Sequence, residues 1–141
     1  MAEAIYSTET WKDIPEWEGL YQASSMGRIR SVEREHYRRA RGGKLCRFKY
    51  KGRVLRQAKN EKGYCVVVLS DATNGRNPLM HRVHRLICRT FHGEPEDAAL
   101  EAAHNDGVRD NNRAENLRWA TRADNMADVR KHRLKRLAIG G

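Results

Sequence analysis

The sequence predicts an α+β fold: a small N-terminal β module, then a strand-turn-strand-helix motif with flanking helices. Three observations carry this. Short β-favouring stretches separated by Gly-rich and Asn-Gly turns occupy residues 11–31 and 54–83, one helical repeat follows at residues 83–91, and residues 101–136 run as two short strands, a polar loop and a basic helix. At 141 residues the chain has room for one ordinary domain or two small ones sharing a core. The expected units are residues 9–57, which include a basic arm, and residues 62–136.

In the first unit, Gly19-Leu20-Tyr21-Gln22-Ala23 favours a strand, Ser24-Ser25-Met26-Gly27 supplies turn chemistry and Arg28-Ile29-Arg30 resumes alternation. This predicts two short strands, with Trp11, Ile14, Trp17, Leu20 and Tyr21 as their apolar side. Residues 33–52 are rich in Arg, Lys and Gly and poor in aliphatics, which predicts an exposed arm or loop rather than a core element. Strands return at residues 64–69 and 79–83 around the hairpin pair Asn74-Gly75. Val83, Leu86, Ile87, Thr90 and Phe91 then fall on one helical face, and Gly93 with Pro95 ends that helix. Residues 101–104 are expected to pair with Arg118-Trp119. Thr121 then caps a helix that turns Met126 and Val129 inward and ends in the basic run at residues 130–136.

The formal net charge of +10 favours a polyanionic partner, and its distribution is regional. Residues 1–27 carry five acids and one lysine, whereas residues 28–56 carry twelve Lys and Arg against Glu33 and Glu35. Arg28, Arg30, Arg38, Arg39, Arg41 and Arg47 in this region, with Arg130 and Arg133 in the C-terminal run, are the candidate phosphate contacts. Cys46, Cys65 and Cys88 are odd in number and form no CxxC pair, which argues against a disulfide framework or a cysteine zinc site and suits free thiols in a reducing cytoplasm. The longest apolar run, residues 65–69, is far short of the ~20 residues that span a bilayer, so no membrane partner is expected. Residues 1–10 lack a basic start and an apolar core, so no signal peptide is expected either, and a cytoplasmic location is.

Chemistry concentrates at residues 104–125. Phosphodiester cleavage needs a base for water and stabilisation of charge on the phosphate and on the leaving oxygen. A histidine serves the first role at neutral pH, and a divalent cation held by hard oxygens such as those of asparagine serves the second. The run Ala103-His104-Asn105-Asp106-Gly107, Asn111-Asn112-Arg113, Glu115-Asn116-Leu117-Arg118-Trp119, Thr121 and Asp124-Asn125 resembles the HNH endonucleases of phages and their homing relatives, built on a ββα-metal motif. Upstream, Val83-His84-Arg85-Leu86-Ile87 and Phe91 are similar to the helix that precedes the motif in that group. Trp11-Lys12-Asp13-Ile14, Trp17-Glu18-Gly19-Leu20-Tyr21, Ser24 and Gly27-Arg28-Ile29-Arg30-Ser31 resemble the NUMOD4 module often fused to such nucleases.

The resemblance implies a metal-dependent endonuclease acting on DNA, of nicking or homing type, as a monomer or homodimer with no small-molecule substrate. It makes His104 the general base, Asn116 the residue that braces the loop and orients the histidine, and Asn125, with His104, the metal-binding pair for one Mg²⁺ or Mn²⁺ ion. It departs from the family at Ala103, where a metal ligand often precedes the histidine. Asp106, Asp124 or Asp128 could compensate, and the alternative reading is a non-cleaving DNA-binding or regulatory protein on a degenerate HNH scaffold. His81 and His84 sit three apart without an evident third ligand, so packing or hydrogen bonding is the expected role for both.

Overall fold

The computed structural model describes residues 8–140; residues 1–7, including most of the stretch where no signal peptide is expected, and residue 141 lie outside the described residues. The N-terminal module is a three-stranded antiparallel sheet, β1 (Trp11–Asp13), β2 (Tyr21–Ser24) and β3 (Ile29–Ser31). The third strand is a finding beyond the two expected: Trp11 pairs with Ser24 and Asp13 with Gln22, a partnership made by the fold rather than by local alternation. A single bridge between Arg30 and Val54 ties the sheet to the chain beyond the arm.

Residues 33–52 are exposed, as their composition requires, but they are ordered as a hairpin of β4 (Arg34–Arg39) and β5 (Leu45–Tyr50) rather than a loop. Its cohesion comes from one face on which the His36 ring stacks on Tyr50 and Phe48, while Arg34 and Arg38 lie over Tyr50 and Phe48. A second sheet follows, β6 (Ala58–Lys59), β7 (Cys65–Asp71) and β8 (Arg76–Arg82). The β7–β8 turn is a short 3₁₀ segment, Ala72–Asn74, closed by Gly75 in the left-handed region at φ 69°. Helix α1 (Val83–His92) comes next, then the antiparallel pair β9 (Glu101–His104) and β10 (Leu117–Ala120), then helix α2 (Arg122–Gly140). No helix among the described residues is long and apolar enough to cross a membrane.

One core joins the N-terminal sheet, β7, α1 and the β9–β10 pair. Ile14, Trp17, Ala23 and Ile29 of the N-terminal sheet meet Val67 and Leu69 of β7, Val83, Leu86 and Ile87 of α1, and Ala102 and Leu117 of the final strand pair. The apolar face expected of α1 is therefore the hub. The three cysteines are free, and burial pushes the Cys88 thiol up to about 12, making it a packing group. Helix α2 departs from expectation: Met126 and Val129 are 49% and 43% exposed. It is anchored by polar contacts instead, with Asp128 paired to Arg118, Asn125 bonded to Glu101 and His132 bonded to the Asn105 carbonyl. Thr121 does cap it, its hydroxyl accepting from the Asp124 N–H at 3.1 Å.

The N-terminal turn is keyed directly into the loop that follows β9. Ser25 accepts a backbone hydrogen bond from Ala114, and Gly27, at φ 89°, approaches Asn112 so closely that a Cβ would lie 2.9 Å from the Asn112 carbonyl oxygen. Gly27→Ala combines a left-handed backbone, costing ~1–2 kcal/mol for an L-residue, with a collision against main chain. The expected result in a thermal melt is a Tm lowered by about 5 °C or more.

Candidate active site

His104 closes strand β9 and is 8% exposed. Its Nε2 lies 2.7 Å from Asn112 Oδ1. An amide oxygen only accepts, so Nε2 carries the proton and Nδ1 keeps its lone pair. Burial pushes the imidazole below its ordinary 6.5, against the opposing pull of the Asn112 bond and the Asp106 charge. The ring is thus neutral at neutral pH, the state a general base requires.

The loop between β9 and β10 is braced by Asn116. Its Nδ2 donates to Asp106 Oδ1 at 2.9 Å and to the Asn111 carbonyl at 2.8 Å, and its Oδ1 accepts from the Asp106 N–H at 3.1 Å. None of these bonds reaches the imidazole; the amide bonded to His104 is that of Asn112, a residue to which sequence reasoning gave no role. Burial works against the Asp106 carboxylate, but bonds from Asn111, the Val108 N–H and Asn116 hold it below the usual carboxylate range. Gly107, at φ 72°, lets the loop pass beneath the His132 ring of α2.

Two further rings stand beside His104. His84 of α1 lies 5.1 Å from His104 and stacks on Tyr64 at 4.9 Å, and Tyr64 is 6.1 Å from His104, centroid to centroid. The packing expected of His81 holds at Trp17, 5.7 Å away and edge-on. His84 also packs, but against the proposed base, which its distance in sequence concealed. The other histidines without a sequence-level role have structural partners: His92 Nε2 is 2.7 Å from the Ala114 carbonyl and His36 lies in the hairpin stack.

The His84 imidazole is driven down to about 3, by burial first and then by the His104, Arg82 and Arg85 charges. The unfolded chain takes up a proton there below pH 6.5, whereas the folded chain refuses it until about 3. Its contribution to stability is therefore whole above 6.5 and is lost as pH falls through that window, by about 1.4 kcal/mol per unit. Urea unfolding at stepped pH is expected to show this loss, and His84→Phe, which keeps a ring on Tyr64 but takes no proton, is expected to flatten the slope.

Tyr64 and His84 line a cleft of about 410 Å³ whose walls also include Arg82, Arg85, Glu101 and Asn125. Arg109 and Arg122 complete a basic rim, Arg109 lying 5.0 Å over the Tyr64 ring. Two larger surface concavities lie along the other side of the β9–β10 loop, against His132 and Arg136. The smaller cleft is the one that His84 and Tyr64 connect to His104. Among the described residues no three His, Cys, Asp or Glu side chains converge as a ready-made metal cluster. Asn125 donates Nδ2 to Glu101 Oε2 at 3.0 Å, which leaves its own Oδ1 as a hard oxygen at the cleft. That donor chemistry fits a cation such as Mg²⁺, which keeps several waters and takes few protein ligands.

The candidate phosphate contacts divide into three groups. Arg28 forms a bidentate pair with Glu9, and Arg30 is bonded to Gln22 and lies 4.1 Å over Trp11. Arg38, Arg39, Arg41 and Arg47 all lie on the exposed hairpin, with Arg47 within 3.7 Å of Glu35. Arg130 and Arg133 are exposed on α2.

Comparison with known proteins agrees with this geometry. The NUMOD4 motif matches residues 9–70 and the HNH endonuclease model matches residues 81–127. The chain is 31% identical over 116 residues to DNA endonuclease I-HmuI of Bacillus phage SP01, a match covering 82% of this chain and 55% of that protein. It is 28% identical over 123 residues to an uncharacterised HNH endonuclease of Acanthamoeba polyphaga mimivirus, covering 84% of this chain and 25% of that one. It thus spans about half the length of the first relative and a quarter of the second. Its fold is similar to that solved for DNA binding and cleavage by the HNH homing endonuclease I-HmuI, with a TM-score of 0.62 and 29% identity over 92% of this chain and 66% of that chain. A NUMOD4 motif thus leads into an HNH endonuclease domain, and both are set in a fold similar to that solved for an HNH homing endonuclease.

Proposed function

We propose that this protein is a metal-dependent endonuclease that hydrolyses DNA phosphodiester bonds with His104 as general base. One observation carries the reading: a buried, neutral imidazole whose Nε2 is fixed by Asn112, joined through His84 and Tyr64 to an arginine-walled cleft that also holds Asn125. On this reading His104 Nδ1 takes the proton from the attacking water. Arg82, Arg85, Arg109 and Arg122 receive the phosphate, Asn116 keeps the loop in place, and Asn125 Oδ1 presents a hard oxygen to Mg²⁺ or Mn²⁺. Bound there, a divalent ion neutralises charge on the phosphate and on the leaving oxygen.

DNA as substrate is supported by the relative I-HmuI, a DNA endonuclease, and by the basic hairpin. A single base acts on a single phosphate, so a monomer nicks, and cutting both strands takes two copies. The place of action is inside the cell, the host cytoplasm for a phage-borne enzyme. The test is conversion of supercoiled plasmid to nicked circles with Mg²⁺ or Mn²⁺ and its suppression by EDTA. Plasmid left intact with both metals overturns the reading.

A further inference from the structure

Ala103 offers no ligand atom, is 1% exposed, and stands where a metal-binding side chain is expected beside the base. Four carboxylates near the motif are already committed or turned away. Asp106 accepts three hydrogen bonds within its own loop, Asp128 pairs with Arg118, and Asp110 pairs with Lys59. Asp124 is exposed in the first turn of α2, and neighbours i and i+1 on a helix do not share a face with one another, so it does not follow Asn125 into the cleft.

Glu101 remains. Side chains alternate along a strand, so Glu101 and Ala103 lie on the same face of β9, about 7 Å apart along it. Glutamate is one methylene longer than the aspartate that would suit position 103, and α2 crosses so that Asn125 meets Glu101 at 3.0 Å. Among the described residues Glu101 is the one acid lining the cleft, beside Arg82, Arg85, Arg109 and Arg122, yet no Lys or Arg among them forms an ion pair with it. A carboxylate that sits in a basic cleft bonded only to a neutral amide keeps oxygen lone pairs for a cation. The amide to which it is bonded is the one whose Oδ1 is the candidate ligand.

We infer that Glu101 replaces the ligand missing at Ala103, so that Glu101 and Asn125 together bind the divalent cation. The inference rests on the nuclease reading and names a residue of the same site. The pair supplies one charged and one neutral hard oxygen, leaving the remaining positions for water and phosphate. Its weight relative to Asn125 follows from charge: the carboxylate is the only anionic protein ligand, so its loss weakens affinity more than loss of the neutral amide.

The experiment is a Mn²⁺ titration of the full chain followed by electron paramagnetic resonance, in which bound Mn²⁺ leaves the free-ion spectrum. Glu101→Gln keeps an oxygen that accepts from Asn125 and is expected to preserve the melt while raising the Mn²⁺ Kd about tenfold or more. Adding Ala103→Asp to Glu101→Gln returns a carboxylate to the same strand face and is expected to restore most of the affinity. Unchanged Mn²⁺ affinity in Glu101→Gln overturns the assignment while leaving plasmid nicking by the wild type, and with it the nuclease reading, intact. A wild type that neither binds Mn²⁺ nor nicks overturns both, and one that nicks with Mg²⁺ without binding Mn²⁺ overturns the assignment alone.

Discussion

His104→Ala is expected to lower the single-turnover rate of DNA cleavage by about 10²- to 10⁴-fold, the usual contribution of a positioned general base. DNA affinity should change little, because the arginines of the cleft and the hairpin are untouched and ground-state binding does not use the base. A fall in the rate with binding preserved therefore marks chemistry, whereas parallel losses of both mark a damaged fold. The substitution also strips Asn112 of its partner in a buried place, at a cost of about 1–3 kcal/mol in stability, so the melt is recorded alongside.

Two amides provide the contrast. Asn112→Ala frees the tautomer of His104 without removing the base, and is expected to cost the rate less than His104→Ala does. Asn116→Ala leaves the imidazole bond in place and acts through the loop, so its first effect is on stability. The pH profile supplies another check: the base works unprotonated and burial lowers its pKa, so the acid limb of the cleavage rate is expected below pH 6.5, with a plateau through neutrality. A limb centred above 6.5 contradicts the assignment of His104.

The parts legible in the sequence were those set by neighbours in the chain. Asn74-Gly75 between two alternating stretches, the one-sided repeat of α1 and the Thr121 cap are local patterns, and each appears where its pattern placed it. Strand β1 was hidden because three residues, Trp11–Asp13, carry no period of their own and become a strand only by pairing with β2. Met126 and Val129 have helical spacing but no apolar surface opposite, since α2 is held by Asp128, Asn125 and His132; periodicity alone does not reveal whether a partner face exists. The same limit applies to the site. His104, Asn116 and Asn125 come from one motif, whereas His84 and Tyr64 reach His104 from α1 and from the turn before β7, contacts that only the shared core creates.

The arginines are where sequence and structure differ most in consequence, and the difference sets the second large effect. The sequence ranks Arg28 and Arg30 with the hairpin arginines, but Arg28 is already neutralised by a bidentate bond to Glu9 and Arg30 is held by Gln22 over Trp11. On the hairpin, Arg38 lies over Phe48, a contact with the ring face that leaves its N–H edges available, and the exposed Arg47–Glu35 pair at 3.7 Å is too weak to withhold its charge. A two-stranded ribbon also has the width a DNA major groove admits. Changing Arg38, Arg39, Arg41 and Arg47 together to glutamine is thus expected to weaken DNA binding about 10²- to 10³-fold at low salt and to reduce the slope of log K against log salt by about four. Arg28→Gln, losing a charge that Glu9 already balances, is expected to shift affinity by no more than a few-fold. Filter binding or fluorescence anisotropy across a salt series measures both. Equal losses from Arg28→Gln and from the fourfold variant would move the DNA interface from the hairpin to the N-terminal sheet. The melt of the fourfold variant should match wild type, because the hairpin lies outside the core that Ile14, Leu69 and Ile87 share.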